Sequence, residues 1–220
     1  MTRLIKFAKI DWLRIKKHMW YFFLCLIGTG MVARDADTSA FFGLVYSLFV
    51  SIVLATLPFS TEKREDRGFM RMLPAKAGEE VAGHFLFSFL IVLVGFLIGI
   101  FGIFLVCRII PGRADALGTI LGGQAGWMAP ALFGGSLVAA GVSDLILSIF
   151  RYEGATALQL IRIIPAFIFF FVITAVFDKI PFDGALLGNL TPASGWLIFL
   201  ACLAIYVVMT FAASRIDARR

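Results

Sequence analysis

The stretch FLFSFLIVLVGFLIGIFGIFLVC, residues 85–107, contains no charged residue and decides the class of this chain. A helix rises about 1.5 Å per residue, so a run of this length crosses the roughly 30 Å hydrocarbon core of a bilayer. Apolar runs this long are unlike the short alternating segments of membrane β-barrels. Across all 220 residues, 60% are hydrophobic and 15% are charged, which leaves too little polar surface for a soluble fold. The sequence therefore predicts an all-α integral membrane protein.

Further uncharged runs predict six membrane-spanning helices in a single transmembrane domain, residues 1–220. The spans are expected near residues 19–34, 39–60, 85–107, 120–143, 157–177 and 194–214. The fifth is the least regular, because its uncharged run, residues 163–177, is short for a bilayer. It spans the bilayer if the helix begins near Ala155 and Arg162 extends toward the lipid headgroups.

The distribution of basic residues predicts the orientation of the chain. All but four of the 20 lysines and arginines lie in the N-terminal segment, a loop at residues 61–84, the region 144–162 and the C-terminal tail. The exceptions are Arg34, Arg108, Arg113 and Lys179. Because Lys and Arg accumulate in cytoplasmic segments, both termini of this multi-pass protein of the cell membrane are expected in the cytoplasm. The net charge of +6 then reflects topology and lipid contact, with no nucleic-acid partner.

Residues 1–18 form the expected N-terminal amphipathic helix. Drawn at roughly 100° per residue, one arc collects mostly apolar positions: Leu4, Ile5, Ala8, Trp12, Ile15 and Met19. We expect the helix to lie in the cytoplasmic interface of the membrane, in contact with anionic lipid. Its expected anchors are aromatic or basic: Trp12, Lys16, Lys17 and Trp20. The alternative is a basic flank that only fixes topology, because Phe7, Ile10 and Leu13 blur the pattern.

Residues that could carry chemistry are few. Asp144 is either an acid inside the membrane or, as we expect, lies at the solvated cytoplasmic end of its span. His84 stands at the edge of an apolar run, where an interfacial position is expected. The sequence shows no nucleophile paired with a histidine, no metal-ligand spacing and no GxxxxGK[ST] phosphate loop. It therefore predicts neither an enzyme nor a chain that binds a cofactor or metal itself.

The 61–84 loop is the largest polar segment between predicted spans. Every position of residues 62–67, EKREDR, is charged, and an apolar cluster follows directly: Phe69, Met70, Met72 and Leu73. Apolar side chains inside a polar rim are typical of a docking surface for a partner protein. The alternative is a solvated loop whose apolar end dips into the lipid headgroups.

This loop resembles the permease subunits of ABC-2-type exporters, in particular the small six-span permeases that export amphipathic peptides or toxins. The residues that carry the resemblance are Glu62, Asp66, Leu73, Pro74, Glu80, Val81, Gly83 and Phe85. Residues 149–162 are similar to the second cytoplasmic turn of that family, through Arg151, Tyr152 and Gly154. One departure is MLPAKA at residues 72–77, where the family pattern has a serine before the Leu-Pro and a basic residue at another position.

The resemblance implies an ATP-driven exporter in which residues 61–84 form a coupling helix. That helix would sit in a groove of a separate ABC ATPase subunit, present in two copies, which binds the ATP and Mg. The implied docking residues are Glu62, Asp66, Arg67, Phe69, Met70, Met72, Leu73, Pro74 and Glu80. A second permease chain, as a homodimer or heterodimer, would complete the membrane domain, and the cargo would be a hydrophobic or amphipathic substrate such as a peptide. The alternative is a stand-alone secondary transporter or channel, for which charged groups would be expected in mid-span.

Overall fold

The computed structural model describes residues 2–32, 39–58, 78–109, 126–149, 163–179 and 191–218, and these residues are helical apart from short turns. The helices are α1 (Thr2–Ile15), a 3-10 turn (Lys16–His18), α2 (Tyr21–Val32), α3 (Ser39–Ala55), α4 (Glu79–Ile109), α5 (Met128–Ile149), α6 (Ile164–Lys179) and α7 (Pro192–Ala218). No strand occurs in these ranges. The prediction of an all-α chain is confirmed.

Within the described ranges, three helices are long and apolar enough to cross a membrane: Glu79–Leu105, Met128–Ile149 and Pro192–Ile216. Two further apolar helices are shorter, Gly43–Ala55 and Ile164–Ala175. The chain is therefore a membrane protein with several apolar helices.

The start of α4 has a local cause in the sequence. Gly78 adopts a positive φ of 85°, which a residue without a side chain tolerates, and the helix begins one residue later. Glu79 and Glu80 place two carboxylates in the first turn, where they complement the helix dipole. Residues 79–84, the end of the polar segment, are therefore the first turns of a continuous 31-residue helix.

The helices pack around α4 in two apolar clusters, one on each of two faces of this helix. One face of α4 joins α3, α5, α6 and α7 in the larger apolar core, which includes Leu48, Phe85, Leu137 and Phe169. The other face packs against α1, α2 and α3 in a smaller cluster that includes Ile15, Phe22, Leu54 and Ile91. α5 and α7 form the most extensive helix pair. The position of α4 between two clusters makes it the element to which both ends of the described chain attach.

α3 and α4 approach closely through small residues. The Ser47 hydroxyl donates a 2.7 Å hydrogen bond to the carbonyl oxygen of Gly95 on the neighbouring helix. A Cβ atom at Gly95 would overlap Ser51 Oγ. Small residues at a helix contact allow this approach, and a bond between helices is favourable where no water competes for it.

Gly95→Ala is expected to destabilise the α3–α4 contact by about 1–3 kcal/mol, because the added methyl group must displace Ser51 and the bond from Ser47. Thermal unfolding in detergent measures the effect. Gly135→Ala is the matched control, since its Cβ would meet only the edge of the Phe169 ring, at 3.2 Å. Equal melting temperatures for the two variants would contradict the close α3–α4 contact.

Candidate functional site

α1 packs against the first turns of α4 through one defined face. Phe7, Ala8 and Ile15 are buried on that face. Ile5 and Trp12, which belong to the apolar arc of the helical projection, are 53% and 43% exposed. The face that packs against α4 is rotated from this arc toward Phe7. α1 therefore presents one apolar face to the bundle and further apolar residues outward.

An acid and a histidine are buried together at this contact. Asp11 of α1 is 1% exposed and His84 of α4 is 2% exposed, and Nδ1 of His84 lies 2.5 Å from Oδ2 of Asp11. A carboxylate only accepts, so the His84 N–H is the donor. The packing of α1 against α4 covers the His84 ring, and the interfacial depth of this residue stays a prediction.

Two partly buried charged side chains, Arg14 and Glu80, flank the Asp11–His84 pair. Nη1 of Arg14 lies 3.5 Å from Oδ1 of Asp11, and Oε1 of Glu80 lies 3.8 Å from Nε2 of His84. The order Arg14, Asp11, His84, Glu80 alternates basic and acidic groups across the α1–α4 contact. Contacts between oppositely charged groups of the two helices hold α1 and α4 in one register.

Gly83 permits the close approach that the Asp11–His84 bond requires. A Cβ atom at Gly83 would collide with Cβ of Phe7 and would lie 3.4 Å from the carbonyl oxygen of Leu4. The glycine beside His84 therefore brings the backbones of α1 and α4 near enough for a short acidic side chain to reach the imidazole.

A second acid, Asp144 of α5, lies fully buried close to this pair. Its exposure is 0%, and neither carboxyl oxygen has a hydrogen-bond partner. Ser88 Oγ, one helical turn beyond His84, is the side-chain group beside this carboxyl, and Asp11 and His84 are near enough to interact with it electrostatically. The expectation of a solvated Asp144 was wrong, because α4 and α7 cover this part of α5.

Tyr206 brings α7 into the same region. Its hydroxyl donates a 2.6 Å hydrogen bond to the carbonyl oxygen of Phe85, and it also interacts electrostatically with Asp144. We use the term polar cluster for the buried residues that meet here from α1, α4, α5 and α7: Asp11, His84, Ser88, Asp144 and Tyr206. A polar cluster of this kind inside an apolar bundle is the feature most unlike ordinary packing, and it is the candidate functional site.

The described ranges hold only part of the residues that the sequence singled out. Glu80 lies in the first turn of α4 next to His84. The other docking candidates lie outside the described residues, as do Arg151, Tyr152 and Gly154. Four residues expected at the membrane interface are exposed on or just after α1: Trp12, Lys16, Lys17 and Trp20.

The sequence did contain a signal for Asp11. It precedes Ile15 by four residues and follows Ala8 by three, so on a helix it falls inside the apolar face. An acid at such a position needs a hydrogen-bonding or charged partner in the protein, and this need is the sequence signal for Asp11. Among the described residues no group of three or more His, Cys, Asp or Glu side chains is arranged to hold a metal ion. The polar cluster therefore offers hydrogen bonding and charge, without the ligands of a metal centre.

Asp11→Ala is expected to loosen α1 from the bundle, because the buried His84 loses its acceptor, at a cost on the order of 3 kcal/mol. Limited trypsin digestion in detergent measures this loss through cleavage at Lys6, Lys9, Lys16 and Lys17. The expected acceleration is on the order of 100-fold, the factor that corresponds to this energy.

Trp12→Ala is the matched control for this digestion, since Trp12 is the next residue along α1 and is exposed. Its cleavage rate is expected to stay at that of the wild type. Equal rates for the Asp11→Ala and Trp12→Ala variants would show that the Asp11–His84 bond does not hold α1 in place.

Comparison with known proteins assigns the family. Residues 9–216 match the family described as ABC-2 family transporter protein. No curated protein and no solved structure matches the chain at a significant level. Since the match covers almost the whole chain, the chain belongs to this family, and the resemblance drawn from residues 62–85 is confirmed.

Proposed function

Starting from membership of the ABC-2 transporter family, we propose that this chain is the membrane subunit of an ATP-driven exporter. The observation that carries the proposal is the family match over residues 9–216, together with three helices long and apolar enough to span a membrane. ATP and Mg would be bound by a separate ABC ATPase, because the chain contains no GxxxxGK[ST] phosphate loop. This chain would supply the path through the membrane and the surface on which the ATPase acts.

The proposed docking segment for the ATPase is residues 61–84. It combines a charged run with apolar side chains, of which Phe69 and Leu73 are the proposed anchors. Its last residues, including Glu80, are the first turns of α4. A force applied to the segment therefore acts directly on a 31-residue helix that packs against α1, α3, α5 and α7. We propose that α4 moves between two packing arrangements against its neighbouring helices, and that this movement couples ATP hydrolysis to transport.

The proposed arrangement in the membrane has six spans, with α1 in the cytoplasmic interface and both termini in the cytoplasm. The outward residues of α1 support this placement: exposed Ile5, Trp12 and Leu13 alternate with exposed lysines. Apolar and aromatic side chains beside lysines suit the boundary between acyl chains and anionic headgroups. The buried face of α1, held by Asp11, would meanwhile keep the helix against α4.

The proposed cargo is hydrophobic or amphipathic, with an amphipathic peptide as the leading class. A second permease chain, identical or related, would complete the membrane domain. The outer face of α7 is available for lipid or such a chain, since only 17% of its most apolar stretch is buried.

The buried Asp144 is the one observation that favours a stand-alone ion-coupled transporter instead. Copurification of an ATPase with the chain distinguishes the two functions.

Phe69→Asp and Leu73→Asp are each expected to abolish copurification of the ABC ATPase and the ATP hydrolysis that this chain stimulates. A carboxylate in place of an apolar anchor would have to be desolvated in the partner's groove, at a cost of at least about 2 kcal/mol. The measurement is purification from native membranes in a mild detergent, with bound proteins identified by mass spectrometry and membrane insertion checked in parallel.

Ala75→Asp is the control, since it adds the same charge in the same segment outside the proposed anchors. It is expected to retain the ATPase. Retention of the ATPase by the Phe69→Asp and Leu73→Asp variants would exclude this docking surface. Absence of any ATPase from the wild-type preparation would exclude the proposed function.

The interfacial placement of α1 predicts the depth of Trp12. In a variant whose other three tryptophans are replaced by Phe, the fluorescence of Trp12 is expected to be quenched most by lipids brominated near the headgroup. Strongest quenching by lipids brominated at the acyl-chain end, or no quenching by either lipid, would contradict this placement.

A further inference from the structure

Asp144 is a carboxyl group with no protein partner in a fully buried position. Its exposure is 0%, and both Oδ1 and Oδ2 lack a hydrogen bond. It lies on α5, which is apolar enough to span a membrane. An ionised carboxylate in such surroundings loses its hydration without replacement, at a cost of several kcal/mol or more. The packing seen here is therefore compatible with only one form of this side chain, the neutral acid.

Among the described residues, His84 is the basic group that attracts an ionised Asp144, and it is already engaged by other acids. On α4, Nδ1 of His84 is engaged by Asp11, and its Nε2 faces Glu80. On α1, Arg14 contacts Asp11. Asp11 itself adds negative charge near Asp144. The basic groups of the polar cluster are thus bound to other acids.

The remaining helices packed against α5 add no cation either. Tyr206 of α7 donates its hydroxyl to a carbonyl oxygen, and Arg215 of the same helix is exposed. The sequence of α3 contains no charged residue, and the charged residues of α6 are its last two, Asp178 and Lys179. Among the described residues, these are the helices that pack extensively against α5.

Ser88 offers the neutral acid a partner that suits it. Its hydroxyl is buried, has no hydrogen bond of its own, and stands beside the Asp144 carboxyl. A protonated carboxyl carries one O–H donor, for which the neighbouring Ser88 Oγ is a suitable acceptor. That single bond would satisfy two buried polar groups at once, whereas ionised Asp144 would remain short of donors.

We propose that Asp144, beside Ser88 and the Asp11–His84 pair, is a proton-binding site of the membrane domain. The carboxylate takes up one proton per chain from the bulk solution when α1, α4, α5 and α7 pack as described, and forms the neutral acid. It returns that proton to solution when the helices separate and water reaches the carboxyl. Ionised Asp144 would compete with Asp11 for His84, so the bound proton also helps to keep α1 attached to α4.

Infrared spectroscopy of the purified protein in lipid tests this assignment directly. Wild-type protein at neutral pH is expected to show the carbonyl stretch of a buried protonated carboxyl group, and Asp144→Asn is expected to lack it. Glu79→Gln is the control and keeps the band, because Glu79 is a partly buried acid in the first turn of α4, outside the polar cluster. Absence of the band from the wild type, or its persistence in Asp144→Asn, would overturn the proposal.

The pH dependence of stability provides a second, independent readout. The folded state would hold one proton more than the separated state, so stability falls as pH rises above the range in which an exposed Asp titrates. The unfolding equilibrium constant would increase by up to about tenfold per pH unit. Asp144→Asn is expected to remove this slope. Equal slopes for wild type and variant would contradict a bound proton at Asp144.

The variant Asp144→Leu distinguishes a neutral Asp144 from an ionised Asp144 that depends on a charged partner. Leu has the same branching as Asp, and the main cost of replacing a neutral acid is the partner that Ser88 loses, so this variant is expected to fold with a moderate loss of stability and to lack the pH slope. Collapse of Asp144→Leu, together with a wild type that lacks the infrared band, would instead show that the carboxylate is ionised. Both readouts are independent of the ATPase, so they stand or fall separately from the proposed transport function.

Discussion

A buried hydrogen bond between Asp11 and His84 determines how the N-terminal helix α1 is placed on the helical bundle. It joins α1, at the start of the chain, to the first turns of the long helix α4 across 73 positions in the sequence. An ionised acid buried in an apolar bundle without a partner would carry a large desolvation cost, which the bond to His84 reduces for Asp11. α1 is therefore held in one register on α4, and the outward lysines and Trp12 are oriented by that same bond.

The position of this bond matters for transport. His84 and Glu80 are in the first turns of α4, at the end of the proposed docking segment, and Asp144 and Tyr206 bring α5 and α7 to the same region. Four helices thus meet where an ATPase would apply its force. A polar cluster has few alternative packings, since each changes the partner of a buried polar group, and this favours discrete states over gradual deformation.

The class and family of the protein could be predicted from the sequence, whereas the polar cluster could not. Bilayer thickness sets the length of a spanning helix, so spans can be recognised from uncharged runs of that length without knowledge of their neighbours. Residues 62–85 were specific enough to indicate the family. The pairing of Asp11 with His84 and the burial of Asp144 depend on which helices become neighbours. Local periodicity carries no information about those neighbours, nor about which face of α1 packs against α4. Asp11 within an apolar face was the one local sign of a missing partner.

The central claim is that a separate ABC ATPase acts on the segment that leads into α4. Photocrosslinking in native membranes tests it most directly, with a photoreactive amino acid at Met70 and, for comparison, at Leu187, between α6 and α7. An adduct between this chain and an ABC ATPase is expected from position 70 and none from position 187. No ATPase adduct from position 70, or equal adducts from both positions, would contradict it.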